Sequence, residues 1–230
     1  MTDTTRAAPR PDPQSIAARA DAVRARIAGA GGDPAALTLV AVTKGFDPDV
    51  AVAAASAGLV DLGENYAQEV VPKVEAVAAA LAQGATPPRW HFLGRLQRNK
   101  VRMLAPHVAL WQSVDREALG VEIARRAPGA QVLVQVNLSG EEQKGGCARS
   151  DVAGLVEALS TMELTVRGLM GVGPAGVPEA ARPGFGWLRA EVDRLGLAVC
   201  SMGMSGDLEV AVQEGSTMVR VGTDLFGPRR

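Results

Sequence analysis

"LTLVAVTKGFDPDVAVAAASAG", Leu37 to Gly58, reads as one complete unit of structure: a short apolar run, a turn and a helix. The run 37–44 is made of aliphatic and β-branched residues, as in a strand covered on both faces, while "PDVAVAAASAG" has a helix's proline start and alanine content. The same alternation continues to the end of the chain. Further apolar runs stand at 59–65, 89–95, 107–114, 131–138, 165–172, 198–204 and 217–226, and a helical stretch fills each gap. Strands that alternate with helices pair in parallel. Eight units over residues 37–227, about 24 residues each, predict an α/β fold of the (β/α)8 TIM-like barrel type, with an open doubly wound sheet as the rival.

Ahead of the first run, Asp12 and Pro13 open an extra N-terminal helix whose Ile16, Ala20, Val23 and Ile27 fall on one stripe, and "GAGGDP" stops it. Residues 1–12 are expected to be a disordered leader and 13–230 a single domain.

Composition narrows the function classes. The 230 residues are 47% hydrophobic and 21% charged with a net charge of −1, and no block of like charges suggests a nucleic-acid partner. The N-terminus lacks a secretory apolar core and no apolar run suits a membrane span, so a cytoplasmic protein is expected. Cys147 and Cys200 have no metal-ligand spacing, and His91 and His107 are too isolated for a zinc motif. "GVGPAG", 171–176, matches a dinucleotide fingerprint, but Pro174 and Pro178 interrupt the turn and the match reads as a loop.

In a barrel the chemistry gathers where strands end at their C-terminal side. Lys44 ends the first run. Its stem can lie on apolar surface with the amine in water or on a carboxylate such as Glu64; alternatively, apolar walls make it a nucleophilic amine able to form a Schiff base. Ser205, in "GMSGDLEVAVQEG", and Arg220, Gly222 and Thr223, in "VRVGTDLFG", form a phosphate-site candidate on the last two strands. Barrel closure puts strand eight beside strand one, so a ligand with both a phosphate and a carbonyl would fit: pyridoxal 5′-phosphate (PLP) or a sugar phosphate. Asn65 follows strand two as a turn cap or a hydrogen-bonding partner for a ligand ring. His91 lies inside strand three, where a satisfied core histidine is the commoner case. Lys144 and the charges Arg95, Arg98, Lys100 and Arg102 read as solvated.

Taken together, "AVTK", "GENYAQE", "HFLGRLQRNK", "QVNLSGEEQKGG", "RGLMGVGP" and "GMSGDLEVAVQEGSTMVRVGTDLFG" resemble the PLP homeostasis protein family, similar in fold to the PLP-binding barrel of alanine racemases. The resemblance runs from about Leu39 to Gly227. It implies that Lys44 holds PLP as a Schiff base and that Ser205, Arg220, Gly222 and Thr223 surround its phosphate; Asn65 and His91 are expected beside them in the cofactor site. It also implies a role in buffering or delivering PLP, with apo PLP-dependent enzymes as possible recipients. Gly45 and Phe46 depart from the family, many of whose members carry Thr and a second Lys there.

Racemisation needs a second acid/base on the far face of the cofactor, supplied in alanine racemases by a tyrosine of another domain. The only tyrosine here, Tyr66, belongs to the barrel. The first expectation is therefore a monomeric PLP carrier without turnover. A racemase with an unrecognised second base, a Schiff-base aldolase and a ligand-free interaction module are the alternatives.

Overall fold

The Asp12 side chain accepts the Gln14 and Ser15 backbone N–H groups at 3.1 and 3.0 Å and so starts helix α1, Pro13–Gly29. In this computed structural model, residues 12–82 and 85–228 are described. Apart from Asp12, the expected leader lies outside them.

The chain then runs through β1 (Thr38–Val42), α2 (Pro48–Ser56), β2 (Asp61–Glu64), α3 (Ala67–Ala80), β3 (Arg89–Phe92), α4 (Val101–Leu104), β4 (Val108–Val114) and α5 (Glu117–Arg126). It continues with β5 (Gln131–Val136), α6 (Val152–Ser160), β6 (Thr165–Gly171), α7 (Arg182–Arg194), β7 (Val199–Ser201), α8 (Leu208–Gln213), β8 (Met218–Val221) and α9 (Thr223–Phe226). Neighbouring strands pair in parallel in chain order, and β8 closes on β1 with Val40 opposite Arg220. The sheet is a closed eight-stranded barrel, so the open-sheet rival is excluded.

Strand alternation divides the buried residues into two layers. Outward residues such as Trp111, Val134 and Cys200 pack with Leu119, Ile123 and Phe185 of the helices, and Ala41, Leu62 and Val221 pack with Ile27 and Ala54. Inward residues include a small apolar group, Val40, Leu110, Leu133, Met170 and Met218. Helix α1 covers the barrel wall with the stripe Ile16, Ala20, Val23 and Ile27.

Candidate functional site

The C-terminal strand ends open onto a cavity of about 600 Å³, a volume suited to a small ligand. Six of the seven expected residues line it: Lys44, Asn65, Ser205, Arg220, Gly222 and Thr223. Two glycines allow backbone to form the wall. A Cβ at Gly94 would lie 2.0 Å from the Asn65 carbonyl oxygen, and one at Gly222 would lie 3.1 Å from that of Val42.

Lys44 follows β1 and Asn65 follows β2, and one buried charge cluster stands behind both. Lys73 of α3 is 1% exposed, and its ammonium donates to Thr43 O at 2.7 Å, Glu64 Oε1 at 2.5 Å and Glu69 Oε2 at 2.7 Å. All three donors are thereby used. Glu64 also accepts the Thr43 hydroxyl at 2.7 Å and the Asn65 N–H at 3.2 Å, and Glu69 accepts the Gly45 N–H at 2.9 Å. Burial pushes the Glu64 carboxyl up from its ordinary value, and Lys73 and Thr43 pull it only partly back.

Asn65 Oδ1 is buried and has no hydrogen-bond partner among the described residues. A buried acceptor at a cavity wall without a protein donor is open to one from whatever fills the cavity, ligand or water. On the other flank of β1, Ser205 and Gly206 follow β7, and Gly222 and Thr223 follow β8, the strand paired with β1. Arg26 of the extra helix holds these two loops together: it donates to Ser205 O at 3.1 Å and Glu209 Oε1 at 2.6 Å, and pairs with Asp224.

Arg220 lies apart from that rim, two residues deeper on β8. Its guanidinium donates to Ser201 Oγ at 2.7 Å and Gly171 O at 2.8 Å inside the barrel, where burial pushes it down to about 10. It remains charged at neutral pH. Arg220 begins a chain of hydrogen bonds across the lumen: Ser201 Oγ to Gln112 Oε1 at 2.7 Å, Gln112 Nε2 to His91 Nδ1 at 2.8 Å, and His91 Nε2 to Asp61 Oδ1 at 2.9 Å. Arg89 closes it on Asp61 with two bonds of 2.7 Å. Arginine can only donate and an ionised carboxylate only accept, so the order of donors is fixed, and the partners assign the His91 proton to Nε2.

His91 stands apart from the other six expected residues. It is 4% exposed, its ring nitrogens are bonded to Asp61 and Gln112, and it does not line the cavity. Its inward-facing position on β3 places it within the lumen, deeper than the wall. Arg95 is exposed, as read, and also borders the cavity; Lys144, read as solvated, is part of the wall, where its ammonium donates to Glu141 at 2.5 Å and to Gly173 O at 2.9 Å. Gln135, Met170 and Met204 were missed altogether. Alternation places Gln135 on the same strand face as Leu133, a signal that was available.

The comparisons with known proteins agree with the fold. The alanine racemase N-terminal domain family matches residues 12–230. The chain is similar to a pyridoxal phosphate homeostasis protein of Pseudomonas aeruginosa, 42% identical over 225 residues with 94% of this chain and 95% of that one covered. It is also similar to one of Escherichia coli, 34% identical with 91% and 93% covered. Among solved structures, PipY of Synechococcus elongatus with PLP bound superposes with a TM-score of 0.81 at 31% identity, covering 92% of this chain and 100% of PipY. Full-length similarity of this degree, on a closed barrel whose strand ends carry a lysine beside an unfilled acceptor, shows that the chain belongs to the pyridoxal phosphate homeostasis protein family, built on the alanine racemase N-terminal barrel.

Proposed function

We propose that this chain binds PLP in the strand-end cavity through Lys44 and serves to buffer or deliver it inside the cell. One observation carries the reading: Lys44 shares a cavity of about 600 Å³ with the partnerless Asn65 Oδ1 and with the glycine-lined loops after β7 and β8. When bound, the cofactor supplies an aldehyde carbon that condenses reversibly with a primary amine and releases water. Lys44 would provide that amine. Asn65 Oδ1 would accept from a ring hydroxyl, and Ser205, Gly206, Gly222 and Thr223 would surround the phosphate. Arg220 holds a fixed positive charge at the inner end of the cavity.

The carrier reading is favoured over a racemase because Tyr66 is 43% exposed at the start of α3 and does not line the cavity. The same reading makes the chain a cytoplasmic monomer whose recipients are apo PLP-dependent enzymes. No helix among the described residues is long and apolar enough to cross a membrane.

The test is the absorption spectrum of the purified protein loaded with PLP, beside Lys44→Ala. A band near about 420 nm that borohydride bleaches onto Lys44, and that the variant lacks, is the expected result. A parent protein that takes up no PLP overturns it. Robust racemisation by the loaded protein would remove the carrier reading, and an aldolase would be trapped by borohydride only with its substrate present.

A further inference from the structure

Both peptide groups that flank Lys44 end on a single buried cluster. The carbonyl of Thr43, in the peptide before Lys44, accepts from Lys73 Nζ at 2.7 Å. The N–H of Gly45, in the peptide after it, donates to Glu69 Oε2 at 2.9 Å, and that same oxygen accepts from Lys73 Nζ at 2.7 Å. Gly45 has φ +71°, a left-handed turn, so the backbone reverses hand immediately after the lysine. Two fixed peptide planes determine the direction of the Cα–Cβ bond between them. We infer that Lys73 and Glu69 are positioning residues, which hold the Lys44 backbone so that its side chain enters the cavity in one orientation.

Helix stability does not require this arrangement. Lys73 faces the sheet at 1% exposure, where an aliphatic residue would pack without desolvating an ammonium group. A buried charge kept at that cost, with its donors on Thr43, Glu64 and Glu69, fits a requirement for directional contacts next to the reactive amine. Glu64 extends the hold to the other cavity wall through the Asn65 N–H.

The inference rests on PLP binding through Lys44, and its test separates the two. Glu69, with a quarter of its side chain exposed, can be changed without opening the core. Glu69→Ala removes the Gly45 acceptor, whereas Glu69→Gln keeps a carbonyl oxygen there. Lys73→Met removes the ammonium at similar volume. Three quantities are read on the full chain: PLP dissociation constant, hydrogen–deuterium exchange of residues 43–46 in ligand-free protein, and thermal midpoint.

Glu69→Ala is expected to weaken PLP binding about tenfold or more and to speed Gly45 exchange by a similar factor, with Glu69→Gln restoring both. Lys73→Met should weaken binding whether or not it lowers the midpoint. Parent-like PLP affinity in Glu69→Ala and Lys73→Met, or unchanged Gly45 exchange in Glu69→Ala, overturns the inference. A parent that takes up no PLP overturns the proposed function instead, and the exchange data then decide whether the cluster fixes this backbone.

Discussion

The two faces of the barrel sheet are built on the same eight strands, but beside its small apolar group the inner face carries polar chemistry that the outer one lacks. Outside, Trp111, Val134 and Cys200 meet Leu119, Ile123 and Phe185 in a layer held by apolar burial. Inside, Arg220, Ser201, Gln112, His91 and Asp61 meet in a single ordered chain of donors and acceptors. Apolar contact has no direction, so the outer layer fixes where helices lie without dictating a unique partner for each residue. Hydrogen bonds do have direction, and every link of the inner chain constrains the next. The outer layer fixes the fold; the inner one fixes Arg220 at the cavity. The Lys73 cluster is the exception that supports the comparison, because a polar group enters the outer layer directly behind Lys44.

The largest expected effect lies in the outer layer. Phe185→Ala should destabilise the protein by about 3–5 kcal/mol in urea unfolding. PLP affinity, measured well below the transition, should remain that of the parent. A large loss of affinity there would show that the outer layer also shapes the site, and would break the division.

Ser201→Ala should cost less stability, about 1–3 kcal/mol, because it leaves the Arg220 guanidinium short of one acceptor inside the barrel. Unlike Phe185→Ala, it should also weaken PLP binding. Stability lost with affinity unchanged would reduce the inner chain to packing.

Acid titration probes the far end of that chain. Burial alone would raise the Asp61 carboxyl, but the His91 and Arg89 hydrogen bonds outweigh it and hold the group below its ordinary value. A depressed folded value means that the stabilisation is fully present above the unfolded value, about 3.9, and is lost as pH falls from there through the folded one. Asp61→Asn should therefore flatten the acid limb of the stability curve, measured by denaturation between neutral and acid pH. An identical acid limb in both proteins would show that Asp61 adds nothing to the chain.

The smallest effect concerns the thiols. Burial pushes Cys200 up to about 12 and Cys147 up to about 11, so both should alkylate slowly at pH 8 in the native state and quickly once unfolded. Fast native labelling of Cys200, which sits in the outer layer, would mean that this layer opens readily.

Much of the barrel was legible because its signal is periodic. Each of the eight apolar runs contains a strand, and the helices fall in the gaps. The run at 198–204 shortens to Val199–Ser201, because the residues beyond enter the loop after β7, and the run at 217–226 to Met218–Val221, because Thr223–Phe226 form α9. Apolar content alone does not mark where a strand leaves the sheet. The lysine at the end of the first run and the glycine-rich strand ends stand out in the sequence for the same reason that they line the cavity: residues there leave the sheet rather than pack against a neighbouring helix.

His91 and Lys73 show where that reading stops. Strand parity turns His91 inward but does not say whether it reaches the wall or lies deeper, and nothing in the sequence pairs it with Gln112 of the neighbouring strand. Lys73 carries no signal of its own in the sequence, although its amine is buried against Thr43 and two carboxylates. The sequence by itself determined the eight β/α units, the helix stripe ahead of them and the strand ends where chemistry collects, since these follow from local periodicity and the hydrophobic effect. Only the tertiary structure decided that Lys73 and Glu69 bond the peptide groups on either side of Lys44, that Arg26 joins the last two loops and that His91 belongs to the lumen. Each of these is a directional contact between residues distant in the chain or on separate elements, whose distances no local pattern encodes.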